Sequence, residues 1–205
     1  AEGTYWNVDF DFTFDESGCH IGNILTVNRE VINAVPEPVK RALAGTKDVI
    51  CRGEALENVD VLDDMQYELT GRRIEAESFS VLDFDGDGLN EVAVIAEPCY
   101  IFNKDGDKVY VYDINYRAFL DLKTDATWNG SGGASCWSYV EFTGFTDTEM
   151  LYNTYLHIYE DTYWDGDYYS GNAKQLTKEE ADAIISSGSD VMAKRYKYSG
   201  NYFKQ

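Results

Sequence analysis

The chain has 205 residues, and its 37 acidic against 17 basic side chains give a formal net charge of −20 and a pI near 4.3. A field of that sign repels phosphate backbones and anionic lipid heads, which argues against nucleic acid and charged membrane surfaces as partners and favours cations. The length suits one domain with a sizeable core (44% hydrophobic residues), and no run of about 18 apolar residues is present to span a bilayer.

From Tyr5 to Phe14 apolar and polar residues alternate, the period of a half-buried strand, with Trp6, Val8, Phe10, Phe12 and Phe14 on one face and Asp9 and Asp11 on the other. Residues 1–35 therefore read as a strand-containing N-terminal extension packed on a domain formed by residues 36–205. Prolines at 36 and 38 and a glycine at 45 bracket a short helix, the usual asymmetry of its two ends. Less regular sequence follows to about Gly71, with Val59 to Met65 as a further helical turn.

Residues 80–95 read Ser-Val-Leu-Asp-Phe-Asp-Gly-Asp-Gly-Leu-Asn-Glu-Val-Ala-Val-Ile, an acidic turn running into an apolar strand. Asp83, Asp85 and Asp87 alternate so that their carboxylates converge, Gly88 permits a sharp turn, the Leu89 carbonyl supplies a main-chain oxygen, and Glu91 closes the cage. Four carboxylates held together repel one another, and a hard dication neutralises them; calcium suits the irregular oxygen set better than magnesium, which demands octahedral geometry. An EF-hand would place its bidentate glutamate at loop position 12, where this chain has Val94, and would continue into a helix rather than a β-branched run. The D-x-D-G-D-G-x-x-[DE] pattern between strands resembles the calcium loops of FG-GAP and VCBS-type repeats. Asn103 to Asp107 and Trp164 to Asp167 echo it without the closing acid, so they read as hairpin turns, and a multi-bladed propeller is not expected.

Beyond the loop, Glu77 to Leu82, Glu91 to Ala96, Tyr100 to Phe102, Lys108 to Ile114 and Tyr116 to Leu122 read as successive strands with short connections, hence antiparallel. Asn129 to Ser135 is a glycine- and serine-rich connector between Trp128 and Trp137, and Trp137 to Phe142 and Leu151 to Tyr159 add two strands. Thr177-Lys178-Glu179-Glu180 is a capping box ahead of Ala181, Ala183, Ile184 and Ile185, with Gly188 at the far end. The expected class is α+β: a mainly antiparallel sheet with a few short helices in the N- and C-terminal parts.

The run from Phe79 through the acidic loop, then Lys108-Val-Tyr-Val-Tyr, Tyr116-Arg-Ala-Phe, Leu122-Lys-Thr-Asp, Gly132-Gly-Ala-Ser and Leu176-Thr-Lys-Glu-Glu, resembles an uncharacterised domain of secreted proteins and lipoproteins of gut Firmicutes. The similarity spans roughly residues 36–198. It implies a bacterial extracellular or cell-surface location and a lipid-anchor signal ahead of the domain in the full precursor. It implies no activity, and the cysteines and the aromatic run at Tyr163 to Tyr169 depart from it.

Cys19, Cys51, Cys99 and Cys136 form no C-x-x-C pair and have no histidines at zinc spacing. An even number beside a calcium loop suggests two disulfides in an exported protein. Three connectivities are open, and proximity in sequence favours Cys19 with Cys51 and Cys99 with Cys136. His157 reads as a strand residue, and Asn129-Gly-Ser-Gly-Gly resembles a serine-protease nucleophile segment only superficially: His20 sits in Gly18-Cys19-His20-Ile21, His157 follows the serine, and glycine-serine loops are common connectors. With 37 acids, some pair meets a glycosidase spacing by chance. Tyr163, Trp164 and Tyr168, with Trp128 and Trp137, are the candidate ligand-binding residues, since exposed rings stack on sugars or grip a protein partner. The expected function is thus glycan or protein recognition on a domain ordered by a structural calcium ion. The competing class is an extracellular hydrolase acting on glycan or peptide.

Overall fold

The computed structural model describes residues 12–15, 18–21, 29–56, 76–133, 135–199 and 202–203. Two short strands, β1 (Phe12–Asp15) and β2 (Gly18–Ile21), form a hairpin with Phe12 opposite Ile21. The rest of the expected first strand, with Asp9 and Asp11, lies outside the described residues, as does Val59 to Met65.

Helices α1 (Arg29–Ala34) and α2 (Glu37–Leu43) follow, the second entered through Pro36 and closed where Gly45 takes φ +71° and the Thr46 amide donates to the Arg41 carbonyl at 2.8 Å. Strands β3 (Val49–Cys51), β4 (Glu54–Leu56), β5 (Ser78–Leu82), β6 (Glu91–Ile95), β7 (Cys99–Asp105) and β8 (Lys108–Ile114) build a seven-stranded sheet with β14 (Tyr196–Lys197) at its far edge. Its order is β14-β5-β6-β7-β8-β3-β4, antiparallel except where β3 runs beside β8.

The middle of this sheet is buried on both faces, which is why its strands read as nearly continuous apolar runs. Val92, Val94, Tyr100, Phe102, Val109 and Val111 point to one side, where Ile32, Val39, Leu43 and Phe203 cover them. Their neighbours Ala93, Cys99, Ile101, Tyr110 and Tyr112 point to the other, against Phe119, Leu122, Trp128 and Val140. Alternate residues thus feed two separate cores, as the two-residue period of a strand requires. Ile32 of α1 joins the same core as Val39 of α2.

The covering layer is a five-stranded antiparallel sheet, ordered β13-β12-β11-β10-β9. It comprises β9 (Thr127–Gly133), β10 (Cys136–Phe145), β11 (Met150–Tyr159), β12 (Thr162–Asp165) and β13 (Lys174–Leu176). Helix α3 (Lys178–Ser187) packs on β12, with the expected capping box: Thr177 Oγ1 accepts from the Glu180 amide at 3.2 Å and Glu180 Oε2 from the Thr177 amide at 2.8 Å. The architecture is α+β and mainly β.

Three local expectations are corrected. Residues 129–133, read as a flexible connector, belong to β9; a Cβ at Gly130 would lie 2.6 Å from Ser138 Oγ, and one at Gly132 2.9 Å from Cys136 Sγ, so glycine is there for close strand packing. Tyr116 to Leu122 is no strand but a 3-10 turn at Tyr116–Ala118 and an irregular segment. Phe119 and Leu122 both reach the core from it because Asp121 turns the chain at φ +46°. The tight turn near residue 165 is displaced: the β11–β12 hairpin closes at Glu160 and Asp161, both at positive φ, and a longer link carrying a 3-10 turn, Tyr168–Ser170, joins β12 to β13.

Candidate metal centre

The acidic loop joins β5 to β6, and its ends are clamped by the ladder pair Leu82 and Glu91. Within it the carboxylates bind the loop's own amides. Asp83 Oδ1 accepts from Gly86 at 2.7 Å and its Oδ2 from Gly88 at 3.0 Å, Asp85 Oδ1 from Asp87 at 3.1 Å, and Asp87 Oδ1 from Leu89 at 2.6 Å. Such Asx turns curl the chain so that side chains at alternate positions point inward. Gly86 and Gly88 take φ +76° and +86°, and an added Cβ at either would meet nothing within 4 Å. Backbone conformation, not space, therefore requires glycine there.

Two anchors seat the loop on the protein. Phe84, 5% exposed, packs edge-on against Phe142 at 5.9 Å in the core between the sheets, and Asn90 Nδ2 donates to the Ala34 carbonyl at the end of α1 at 3.0 Å. The Phe84 amide in turn donates to Glu91 Oε2 at 2.7 Å. Glu91 is only 1% exposed, the one charged side chain so deeply buried among the described residues.

Asp83, Asp85 and Glu91 each bring one oxygen to within 4.8 Å of the others. Calcium–oxygen bonds of about 2.3–2.6 Å allow two ligands of one ion to stand up to about 5 Å apart, so the three oxygens fit a single ion. Asp87 is not drawn into this group, its Oδ1 being turned to the Leu89 amide, and Leu89 itself is 39% exposed at the loop's rim.

Burial pushes the Glu91 carboxyl up to about 8; the Phe84 amide opposes this, and the charges of Asp85, Asp87 and Asp83 add to it. Asp85 is also raised, first by burial and then by its acidic neighbours. Because the folded-state value lies above the unfolded one, metal-free stability from Glu91 is fully present below about 4.5, the group's ordinary value, and is lost as pH rises through about 8. Glu91→Gln removes that ionisation. In chelator, the stability of the wild type relative to this variant should fall over that window by an amount on the order of a few kcal/mol. Urea midpoints measured across it check the sign; a flat difference would refute it.

The aromatic residues singled out in the sequence do not form one patch. Trp128 is 1% exposed in the core, with Nε1 donating to the Ala118 carbonyl at 2.8 Å. Across the ladder Trp164 pairs with His157, whereas Tyr163 and Trp137 both pair with Ile158, so these two face the opposite side of the sheet. Trp164 and Tyr168 do meet, at 5.0 Å between centroids, and Tyr168 stacks on Tyr159 at 5.3 Å, with Tyr169 beside them 68% exposed. A separate groove of about 710 Å³, lined by Arg52, Tyr112, Asp113, Met150 and Tyr152 among others, was not foreseen; its Asp113 is engaged by Arg52 at 2.9 and 2.6 Å.

Cys51, Cys99 and Cys136 are buried free thiols, so the expected Cys99–Cys136 bridge is not formed; the Cys19 side chain lies outside the described set. The neighbour of Cys136 is instead His157, 21 positions along the chain, and periodicity carried no sign of it. No protein-family model, curated protein or solved structure matches this chain.

Proposed function

We propose that the chain is a calcium-ordered recognition domain of an exported or cell-surface bacterial protein, in which the ion is structural and the ligand is an extracellular glycan or protein. The observation that carries the metal is Glu91: an almost fully buried carboxylate with one backbone donor, facing two further carboxylates at ligand distance. A buried anion so placed is costly unless a cation joins it. Asp83, Asp85 and Glu91 would hold the ion, with Asp87 and the Leu89 carbonyl completing the shell as the loop tightens. Millimolar calcium outside cells suits a site of modest affinity, with Kd about 10⁻⁴–10⁻³ M. Calorimetric titration of chelator-treated protein tests this, and absence of a calcium-specific heat at millimolar metal would refute it.

Recognition is supported by Trp164, Tyr168 and Tyr169, whose rings gather at one end of the five-stranded sheet beside Asp167. Flat apolar faces next to carboxylates suit sugar rings, whose hydroxyls need acceptors. Trp164→Ala should abolish retention on an immobilised polysaccharide that holds the wild type, with the far-UV spectrum unchanged. Equal retention of both proteins would remove this surface from consideration.

A further inference from the structure

The sheet end that carries Trp164 also aligns a thiol, an imidazole and a carboxylate. Cys136 opens β10 and pairs with Tyr159 on β11, two residues beyond His157, so Cys136 and His157 are diagonal neighbours on one face. Cys136 Sγ lies 3.0 Å from His157 Nε2. On the far side of the ring, Nδ1 faces Asp167 Oδ1 at 3.4 Å, close enough for attraction but not aligned as a hydrogen bond. Unliganded nucleophile sites commonly show such a loose contact, which tightens when substrate binds.

Sulfur at one ring nitrogen and carboxylate at the other is the order that nucleophilic catalysis uses: the base draws the thiol proton through Nε2, while the acid holds the tautomer that carries its hydrogen on Nδ1. A metal centre would need the three donors to converge, and here the ring stands between two of them. The seat is shaped for the sulfur, since a Cβ at Gly132 would lie 2.9 Å from it. Asp167 is fixed independently, because its Oδ1 also accepts from the Tyr169 amide at 3.0 Å and so caps the 3-10 turn. His157 is 4% exposed, with the rings of Tyr168 and Tyr169 at 6.1 and 5.3 Å. Above the thiol, itself 6% exposed, stands the Tyr169 hydroxyl at 3.8 Å, on a side chain that is 68% exposed. One surface ring therefore covers the sulfur.

We propose that Cys136 and His157 are a nucleophile and its base, positioned by Asp167, for acyl transfer from neutral or cationic esters and amides. The aromatic surround and the net charge of −20 disfavour anionic substrates. His157 Nε2 takes the thiol proton as Sγ bonds to the carbonyl carbon and the carbonyl π pair moves to oxygen. That pair returns, the bond to the leaving group breaks, and His157 returns the proton to the departing alcohol or amine, leaving a thioester on Cys136. Water then adds with its proton passing to His157, the carbon–sulfur bond breaks, and the thiol is restored as the acid leaves. The sum is ester or amide plus water giving acid plus alcohol or amine, and it needs neither calcium nor an oxidant.

The test uses p-nitrophenyl acetate on the intact chain, following nitrophenolate release and mapping acetylated cysteines by mass spectrometry. Buried Cys51 and Cys99 serve as references within the same molecule, since unfolding would label them too. The expected result is acetyl on Cys136 and on neither of the two reference thiols. Release should be lost in Cys136→Ala and reduced about 10²-fold or more in His157→Gln. Asp167→Asn should lower the rate and Asp167→Glu restore it, a rescue that a merely structural role would not produce. Tyr169→Ala, which alters only an exposed side chain, should speed labelling of Cys136 and leave the references untouched. An unmodified Cys136 in both the wild type and Tyr169→Ala, equal labelling of all three thiols, or a rate unchanged by His157→Gln would overturn the assignment.

Discussion

Calcium is expected to raise the melting temperature of the wild-type domain, and Asp85→Ala to erase that rise. An ion that binds only the folded chain stabilises it by RT ln(1 + [Ca]/Kd), about 2.7 kcal/mol at a hundredfold excess over Kd. For a chain of this size each kcal/mol moves the midpoint by about 2–4 °C, so a rise of roughly 5–11 °C is expected at that excess. Asp85 is the informative position because its side chain is exposed and accepts one loop hydrogen bond, from the Asp87 amide. Its loss deprives an ion of an oxygen while also removing a negative charge from beside Glu91. In chelator the variant should therefore be as stable as the wild type or slightly more so, and only the metal-dependent increment should vanish. Thermal scans of both proteins in chelator and in calcium at about a hundredfold excess over Kd give the four values needed. An equal rise in wild type and variant would place the ion elsewhere, and no rise in either would remove the metal altogether.

Trp128→Ala is expected to destabilise the domain by about 3–5 kcal/mol, the range for truncating a large buried aromatic residue. The indole fills the space between the two sheets, 5.1 Å from the Phe119 ring and 5.7 Å from Tyr152, and its Nε1 satisfies the Ala118 carbonyl. Truncation leaves a cavity and an acceptor without its donor, two costs that add. Trp137→Ala is the control. Trp137 is 42% exposed on β10, and its removal should shift stability by less than about 1 kcal/mol. Denaturant unfolding separates the two variants. A loss in Trp128→Ala comparable to that in Trp137→Ala would mean that the contact between the sheets is not held as described.

Strands β5 to β8 were legible because their signals are local: β-branched and aromatic runs, punctuated by an Asp-Gly turn at Asp105 and Gly106. The alternating aspartates and paired glycines of the acidic loop were readable for the same reason, since Asx turns and positive φ are settled within a few residues. The capping box before α3 is equally self-contained. The 129–133 segment misled because glycine and serine mark flexible connectors when taken alone, whereas here they leave room for Ser138 and Cys136 on the neighbouring strand. Tyr116 to Leu122 misled differently: its apolar spacing suited a strand, but Asp121 bends the chain to deliver Phe119 and Leu122 to one core.

What the amino-acid order determined unaided was the class of fold, the strands on either side of the acidic loop and the glycine bends within it, all consequences of forces acting over a handful of residues; that Asp87 turns away from the other carboxylates it did not show. Tertiary structure alone decided that Trp128 is core and Trp164 only half-buried, and that Cys136 meets an imidazole rather than another thiol. Those outcomes depend on which strands become neighbours, and strand pairing is set by the burial of two whole sheet faces against each other rather than by any segment's own preference.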